Sequence, residues 1–161
     1  MVSIDSSVDQ KYMSLALEQA EKCIGTPTAF CVGAVIVLPR NTEGNTSEED
    51  IILSKGYSRE LPGNTHAEQC ALDKLSNLPP PKSAVIYTTM EPCSERLSGN
   101  LPCADRIIDS GIFKTVKVGV LEPDTFVKRN VGLDKLTNAG IEYSHVPGFE
   151  QRCLEIAERG H

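Results

Sequence analysis

The sequence predicts an α/β fold: three layers, α/β/α, with a five-stranded mixed sheet carrying helices on both faces. Three observations point there. Cys31 to Leu38 (CVGAVIVL) is an unbroken, β-branched apolar run, as expected of a strand covered on both sides. In the second half of the chain, segments with strand character alternate with segments of helical period, which makes part of the sheet parallel and places helices against it. At 161 residues the chain has the size of one domain, read here as residues 1–161.

The elements follow in order. Tyr12, Met13, Leu15, Ala16, Leu17, Ala20 and Cys23 recur at three- and four-residue steps, a first helix that Ser7 and Gln10 can open as a capping box. After the strand at Cys31 to Leu38 comes a polar segment, Pro39 to Asp50, read as a solvated hairpin loop. Ile51 to Tyr57 is a second, weaker strand. His66 to Leu78 has helical pattern and meets Pro79-Pro80-Pro81, which predicts its end. Ala84 to Met90 (AVIYTTM) is the third strand. A helix from about Pro102 to Ser110 stops at Gly111, and Lys114 to Leu121 is the fourth strand. Leu133 to Asn138 is a short helix ended by Gly140, Ile141 to Val146 the fifth strand, and Phe149 to Arg159 a last amphipathic helix.

Composition excludes some functions. Acids outnumber bases 22 to 16, a net charge of −6, so the chain lacks the basic footprint of a nucleic-acid binder. No apolar run approaches the roughly 18–20 residues of a membrane span. No hydrophobic leader follows Met1, which predicts a reducing, cytoplasmic setting in which the six cysteines are not a disulfide framework. Cys23, Cys31, Cys70 and Cys153 fall at apolar periodic positions and read as packing residues. Arg40, Lys55 and Arg59 read as solvent-facing, His145 as structural and His161 as a mobile chain end.

The residues that carry chemistry are His66-Ala67-Glu68, Pro92-Cys93 and Pro102-Cys103. One imidazole and two thiolates suit zinc, a borderline-soft tetrahedral cation. Three protein ligands leave a fourth position for water, whose pKa zinc lowers to about 7. Glu68, two residues beyond His66, is placed to reach such a water without ligating the metal and to move its protons as general acid and base. Thr65-His66-Ala67-Glu68 also fits a capping box, which gives Glu68 the alternative role of closing a helix N-terminus. Capping leaves two cysteines behind prolines unexplained.

H-x-E followed by P-C and a further Cys resembles the zinc-dependent cytidine/deoxycytidylate deaminase superfamily, whose general signature is H-x-E…P-C-x-x-C. Here nine residues, Ser94 to Pro102, separate Cys93 from Cys103 instead of two. That lengthened loop is similar to the riboflavin-biosynthesis branch of the superfamily. VGAVIV (Val32 to Val37), YTTMEPCS (Tyr87 to Ser94) and the stretch Glu122 to Ile141 resemble the same branch, and RLSGNLPC resembles its fungal form. Ala29-Phe30-Cys31 departs from the N-P-N that precedes V-G in the bacterial bifunctional enzymes, and no reductase domain follows.

The resemblance implies the cytidine-deaminase-like fold, a zinc cofactor held by His66, Cys93 and Cys103, and Glu68 as the catalytic residue. It implies hydrolytic removal of the 2-amino group of 2,5-diamino-6-ribitylamino-4(3H)-pyrimidinone 5′-phosphate, a small phosphorylated pyrimidine, by a cytoplasmic homodimer with no nucleic-acid or membrane partner. Lengthening the loop from two to nine residues costs about 1.3 kcal/mol of closure entropy, against metal-binding energies on the order of 10–16 kcal/mol. The metal therefore tolerates the insertion. The loop's ends are pinned beside the metal, so Ser94, Arg96, Ser98 and Asn100, with Ala67 from the helix start, are the expected substrate contacts. Arg96 is the preferred phosphate partner, with Lys128 and Arg129 as rivals. Two alternatives stand beside this reading: a deaminase of cytidine, deoxycytidylate, guanine or tRNA adenosine, and a non-catalytic zinc-stabilised binding module.

Overall fold

The structure is a computed structural model that describes residues 3–42, 44–94, 96, 100–121 and 132–161. Five strands, β1 (Gly33–Leu38), β2 (Ile51–Tyr57), β3 (Ala84–Met90), β4 (Phe113–Val120) and β5 (Glu142–His145), form one sheet in the order β2-β1-β3-β4-β5. β1 is antiparallel to both β2 and β3, whereas β3–β4 and β4–β5 are parallel. The mixed sheet follows from the connections: β1 and β2 are joined as a hairpin, and the later strands return through helices.

Helices cover both faces. On one, α2 (Ala67–Asp73), α3 (Cys103–Ser110) and α4 (Gly132–Asn138) bury Ala67, Ala71, Ile107 and Leu136 against Ala34, Ile36, Ile86, Val116 and Val118. On the other, α1 (Ser3–Glu21) and α5 (Glu150–Ala157) bury Tyr12, Met13, Ala16, Leu17, Ala20 and Ile156. Alternate residues of β1 feed the two cores, which is why its sequence reads as continuously apolar. Gly56 lets α2 lie on β2: a Cβ there would stand 2.5 Å from the Ala67 carbonyl oxygen and 2.6 Å from the Ala71 nitrogen. Among the described residues no helix is long and apolar enough to cross a membrane.

Several boundaries differ from the expectations. α1 begins at Ser3, so Ser7 lies inside the helix and does not cap it. α2 ends at Asp73, with Lys74 as its cap, well before the prolines; Leu78, counted in the periodic pattern, is 71% exposed and finds no core to extend the helix. The end of α3 matches, Gly111 taking the left-handed conformation at φ 72°.

Three side-chain expectations are corrected. Cys23 and Cys31 are joined as a disulfide, with Cα atoms 5.6 Å apart, so they are not packing thiols. The chain folds back through the Thr26–Ala29 bridge, and that reversal brings the end of α1 beside the start of β1. Cys70 and Cys153 are free and buried, as expected. Arg59 turns inward: its guanidinium donates to the Ile24 carbonyl at 2.9 Å and lies 3.0 Å from the Cys23 sulfur. His161 also has partners, its ring packing against Phe30 and its Nε2 lying 3.0 Å from the Ala29 carbonyl oxygen.

Candidate metal centre and active site

The site forms where the N-termini of α2 and α3 meet the C-terminal end of β3. His66 is the N-cap of α2, in extended conformation (φ −93°, ψ 160°), which turns the chain from the preceding loop into the helix. Cys93 follows β3 after Glu91-Pro92. Cys103 is the first residue of α3, behind an extended Pro102 at φ −62° and ψ 153°. His66 Nδ1 lies 3.6 Å from Cys93 Sγ and 3.4 Å from Cys103 Sγ. The three donor atoms all lie within 4.8 Å of one another. For a tetrahedral centre with zinc–sulfur near 2.3 Å and zinc–nitrogen near 2.0 Å, the sulfur–nitrogen edge is about 3.5 Å, so this donor set fits zinc in both chemistry and spacing. Among the described residues neither His145 nor His161 joins the cluster. His145 instead faces the Gly119 carbonyl at 3.2 Å and Glu150 at 3.0 Å.

The two thiols are electrostatically unequal. The hydrogen bond from Cys103 holds the Cys93 thiol below its ordinary range, and the backbone N–H of Cys103 donates to Cys93 Sγ at 3.3 Å. The same pairing, with full burial, pushes the Cys103 thiol up. A cation placed between them removes the conflict, since it stabilises both thiolates.

Glu68 is only 3% exposed. Burial pushes its carboxyl above the ordinary range, and the negative charge on Cys93 acts in the same direction. Thr88, fully buried on β3, places its hydroxyl 3.3 Å from Glu68 Oε2 and 2.9 Å from the Met90 carbonyl oxygen. With one proton to give, the hydroxyl can donate to Met90 while accepting from a protonated Glu68, or donate to the carboxylate. Thr88 escaped sequence reasoning, although a threonine on the inner face of an otherwise apolar strand was the available signal.

The capping question is decided by geometry. Thr65 donates its hydroxyl to the Leu61 carbonyl at 2.8 Å and does not cap α2. The residue reaching back to the N-cap backbone is Gln69, whose Oε1 lies 3.4 Å from the His66 nitrogen. Glu68 is thereby free of the capping role and faces the metal cluster.

The expected substrate contacts fare differently. Ala67 is fully buried in the helix–sheet core. Ser94 is buried beside Cys93, its carbonyl accepting from Lys135 Nζ at 3.1 Å. Asn100 is exposed. Ser98, Lys128 and Arg129 lie outside the described residues, as does the first half of the stretch Glu122 to Ile141, residues 122–131. Arg96, the expected phosphate partner, is engaged within the protein. It is 7% exposed, and its guanidinium donates to the Asn64 carbonyl, to Gln69 Oε1 at 3.1 Å and to the Leu101 carbonyl at 3.5 Å. The reason is reach: Arg96 lies against the segment that leads into α2, within hydrogen-bond distance of the Asn64 carbonyl and the Gln69 side chain.

Residues 6–120 match the family described as the cytidine and deoxycytidylate deaminase zinc-binding region. The chain is 48% identical over 155 residues to the diaminohydroxyphosphoribosylamino-pyrimidine deaminase of Schizosaccharomyces pombe, covering 94% of this chain and 35% of that protein. It thus spans about a third of that relative's length. It is 30% identical over 157 residues to the cytosine deaminase of Candida albicans, covering 92% of this chain and 85% of that one. Among solved structures, the Rib2 deaminase of Aspergillus oryzae, a C-terminal deletion mutant in complex with DARIPP, superposes with a TM-score of 0.82 at 40% identity, covering 95% of this chain and 91% of that chain.

Proposed function

Because the chain belongs to the cytidine and deoxycytidylate deaminase zinc-binding family, we propose that it is the zinc-dependent hydrolytic deaminase of riboflavin biosynthesis that acts on 2,5-diamino-6-ribitylamino-4(3H)-pyrimidinone 5′-phosphate. The observation that carries the chemistry is the buried Glu68 beside the His66, Cys93 and Cys103 donor set. Likeness to the Schizosaccharomyces deaminase and to Rib2 with its DARIPP ligand supports the substrate.

In this reading His66, Cys93 and Cys103 hold the zinc. When bound, it supplies Lewis acidity that brings the pKa of water from 15.7 to about 7. Glu68 takes a proton from the attacking water as the carbon–oxygen bond forms at C2 and passes it to the adjacent ring nitrogen, then takes the remaining hydroxyl proton and delivers it to the departing amine as the carbon–nitrogen bond breaks. Ammonia leaves and C2 becomes a carbonyl carbon. A buried carboxyl with a raised pKa suits both duties, because it holds its proton after taking it. Thr88 fixes the carboxyl's orientation through either protonation state. Ala67, Ser94, Ser98 and Asn100 are the proposed substrate contacts. Residence in the cytoplasm, assembly as a homodimer and a single deaminase domain over residues 1–161 belong to the same reading.

The second reading is a cytosine or cytidine deaminase, favoured by the likeness to the Candida enzyme. Ammonia release from the ribitylaminopyrimidine phosphate, cytosine and cytidine, measured side by side on zinc-loaded protein, separates the two. The proposal expects kcat/KM for the ribitylaminopyrimidine at least a hundredfold above the others. A higher value for cytosine or cytidine overturns it.

A further inference from the structure

The loop between the two cysteines carries its own fastening. Arg96 lies three residues beyond Cys93, and its guanidinium binds acceptors on two other segments. Asn64, whose carbonyl takes one N–H, stands two residues before His66, and Gln69, whose Oε1 takes another, three residues after it. Leu101, whose carbonyl takes a third contact, stands two residues before Cys103. One buried cation thus ties together the immediate neighbourhoods of all three members of the donor cluster. Gln69 passes the restraint on, because the same Oε1 also accepts from the backbone nitrogen of His66. The Arg96 Nε–H finds no acceptor among the described residues, so the guanidinium forgoes one hydrogen bond to hold the rest.

We propose that Arg96 is a positioning residue: acting through Gln69 and the Asn64 and Leu101 carbonyls, it sets the geometry of His66, Cys93 and Cys103 around the metal, and it does not bind the substrate phosphate. The planar fork is what the task needs. Its N–H groups point in fixed, divergent directions toward acceptors on separate segments, whereas a lysine ammonium on a flexible stem cannot serve three of them in register. Polar groups that orient metal ligands are worth about 10–100-fold in metal affinity or activity. The nine-residue spacing between the cysteines makes such a restraint necessary, since a two-residue spacing fixes two thiols by its shortness alone.

The inference rests on the metal and deaminase reading above, and its test separates the two. Zinc-loaded wild-type, Arg96→Met, Arg96→Lys and Gln69→Leu proteins are mixed with excess chromogenic chelator and zinc release is timed. Kinetics follow on the phosphorylated substrate and its dephosphorylated form, with thermal unfolding as the check on folding. Arg96→Met is expected to release zinc about tenfold or more faster and to lower kcat about tenfold, while KM for both substrates moves less than threefold. Gln69→Leu shifts zinc release in the same direction by a smaller factor, and Arg96→Lys recovers only part of the loss. Should Arg96→Met not fold, the Lys and Leu variants carry the same comparison. Wild-type zinc release in the variants overturns the proposal. So does a rise in KM of tenfold or more confined to the phosphorylated substrate, the signature of a phosphate contact. If the wild type turns over neither substrate, the functional reading fails while the zinc-release arm still decides the role of Arg96.

Discussion

At the scale of single residues, the site depends on neighbours in sequence being given opposite duties. His66, Glu68 and Gln69 share one turn of α2, yet the first faces the thiols, the second faces Thr88 and the third fastens the helix start. Glu68→Gln is therefore expected to bind zinc and fold as the wild type does while losing about 10²–10⁴-fold in kcat, because an amide fills the same space but cannot accept the water's proton. Zinc content by atomic absorption and ammonia release check the two halves. Turnover within tenfold of wild type would remove Glu68 from the proton transfer.

Among elements, the decisive contact is that of α2 with β2 and β1. It brings Glu68 to within hydrogen-bond distance of Thr88 on β3, and it depends on Gly56 having no side chain. Gly56→Ala puts a methyl group against the backbone of Ala67 and Ala71, which cannot rotate away as a side chain would. The helix must lift. The expected cost is about 1–3 kcal/mol in chemical denaturation, with a fall in zinc retention because His66 moves with the helix. Unchanged stability and zinc retention would show that α2 is free to shift without loss. α1 gains a different restraint: the Cys23–Cys31 disulfide ties its end to the approach of β1, and Arg59 lies over the same sulfur.

Over the whole molecule, polar ties lock the helical layer of α1 to the sheet. Tyr87 donates to Asp9 at 2.7 Å and Lys117 pairs with the same carboxylate at 3.0 Å. Tyr12 donates to Asp50 at 2.9 Å, and Asp50 also accepts from Arg40. Hydrogen bonding to Arg40 holds the Asp50 carboxyl at about 2, below its ordinary 3.8. A carboxyl whose pKa falls on folding adds stability that is complete above its unfolded value and fades as pH drops through the folded one. Asp50→Asn should thus cost about 1 kcal/mol at pH 7, since half of the Arg40 side chain is in water. The gap from wild type should close between about pH 4 and pH 2. Urea denaturation at a series of pH values reads it, and a gap that persists at pH 2 would refute the linkage.

The sequence by itself determined the architecture and the donor set. Ala84–Met90 was legible to the residue because burial on both faces imposes an apolar, β-branched composition, the edge strand Ile51–Tyr57 because its short apolar start follows a polar loop, and Gly111 and Gly140 marked helix ends because only glycine takes their positive φ freely. His66, Cys93 and Cys103 were legible because few demands other than a soft metal put these residue types behind helix and strand ends. Tertiary structure decided what depends on which acceptor is nearest. It turned Arg96 inward to Asn64 and Gln69, gave the helix cap to Gln69 and left Glu68 for chemistry, and joined Cys23 to Cys31 across a chain reversal. A side chain's residue type fixes what it can bind, but its partner is set by distances that exist only once the segments are packed.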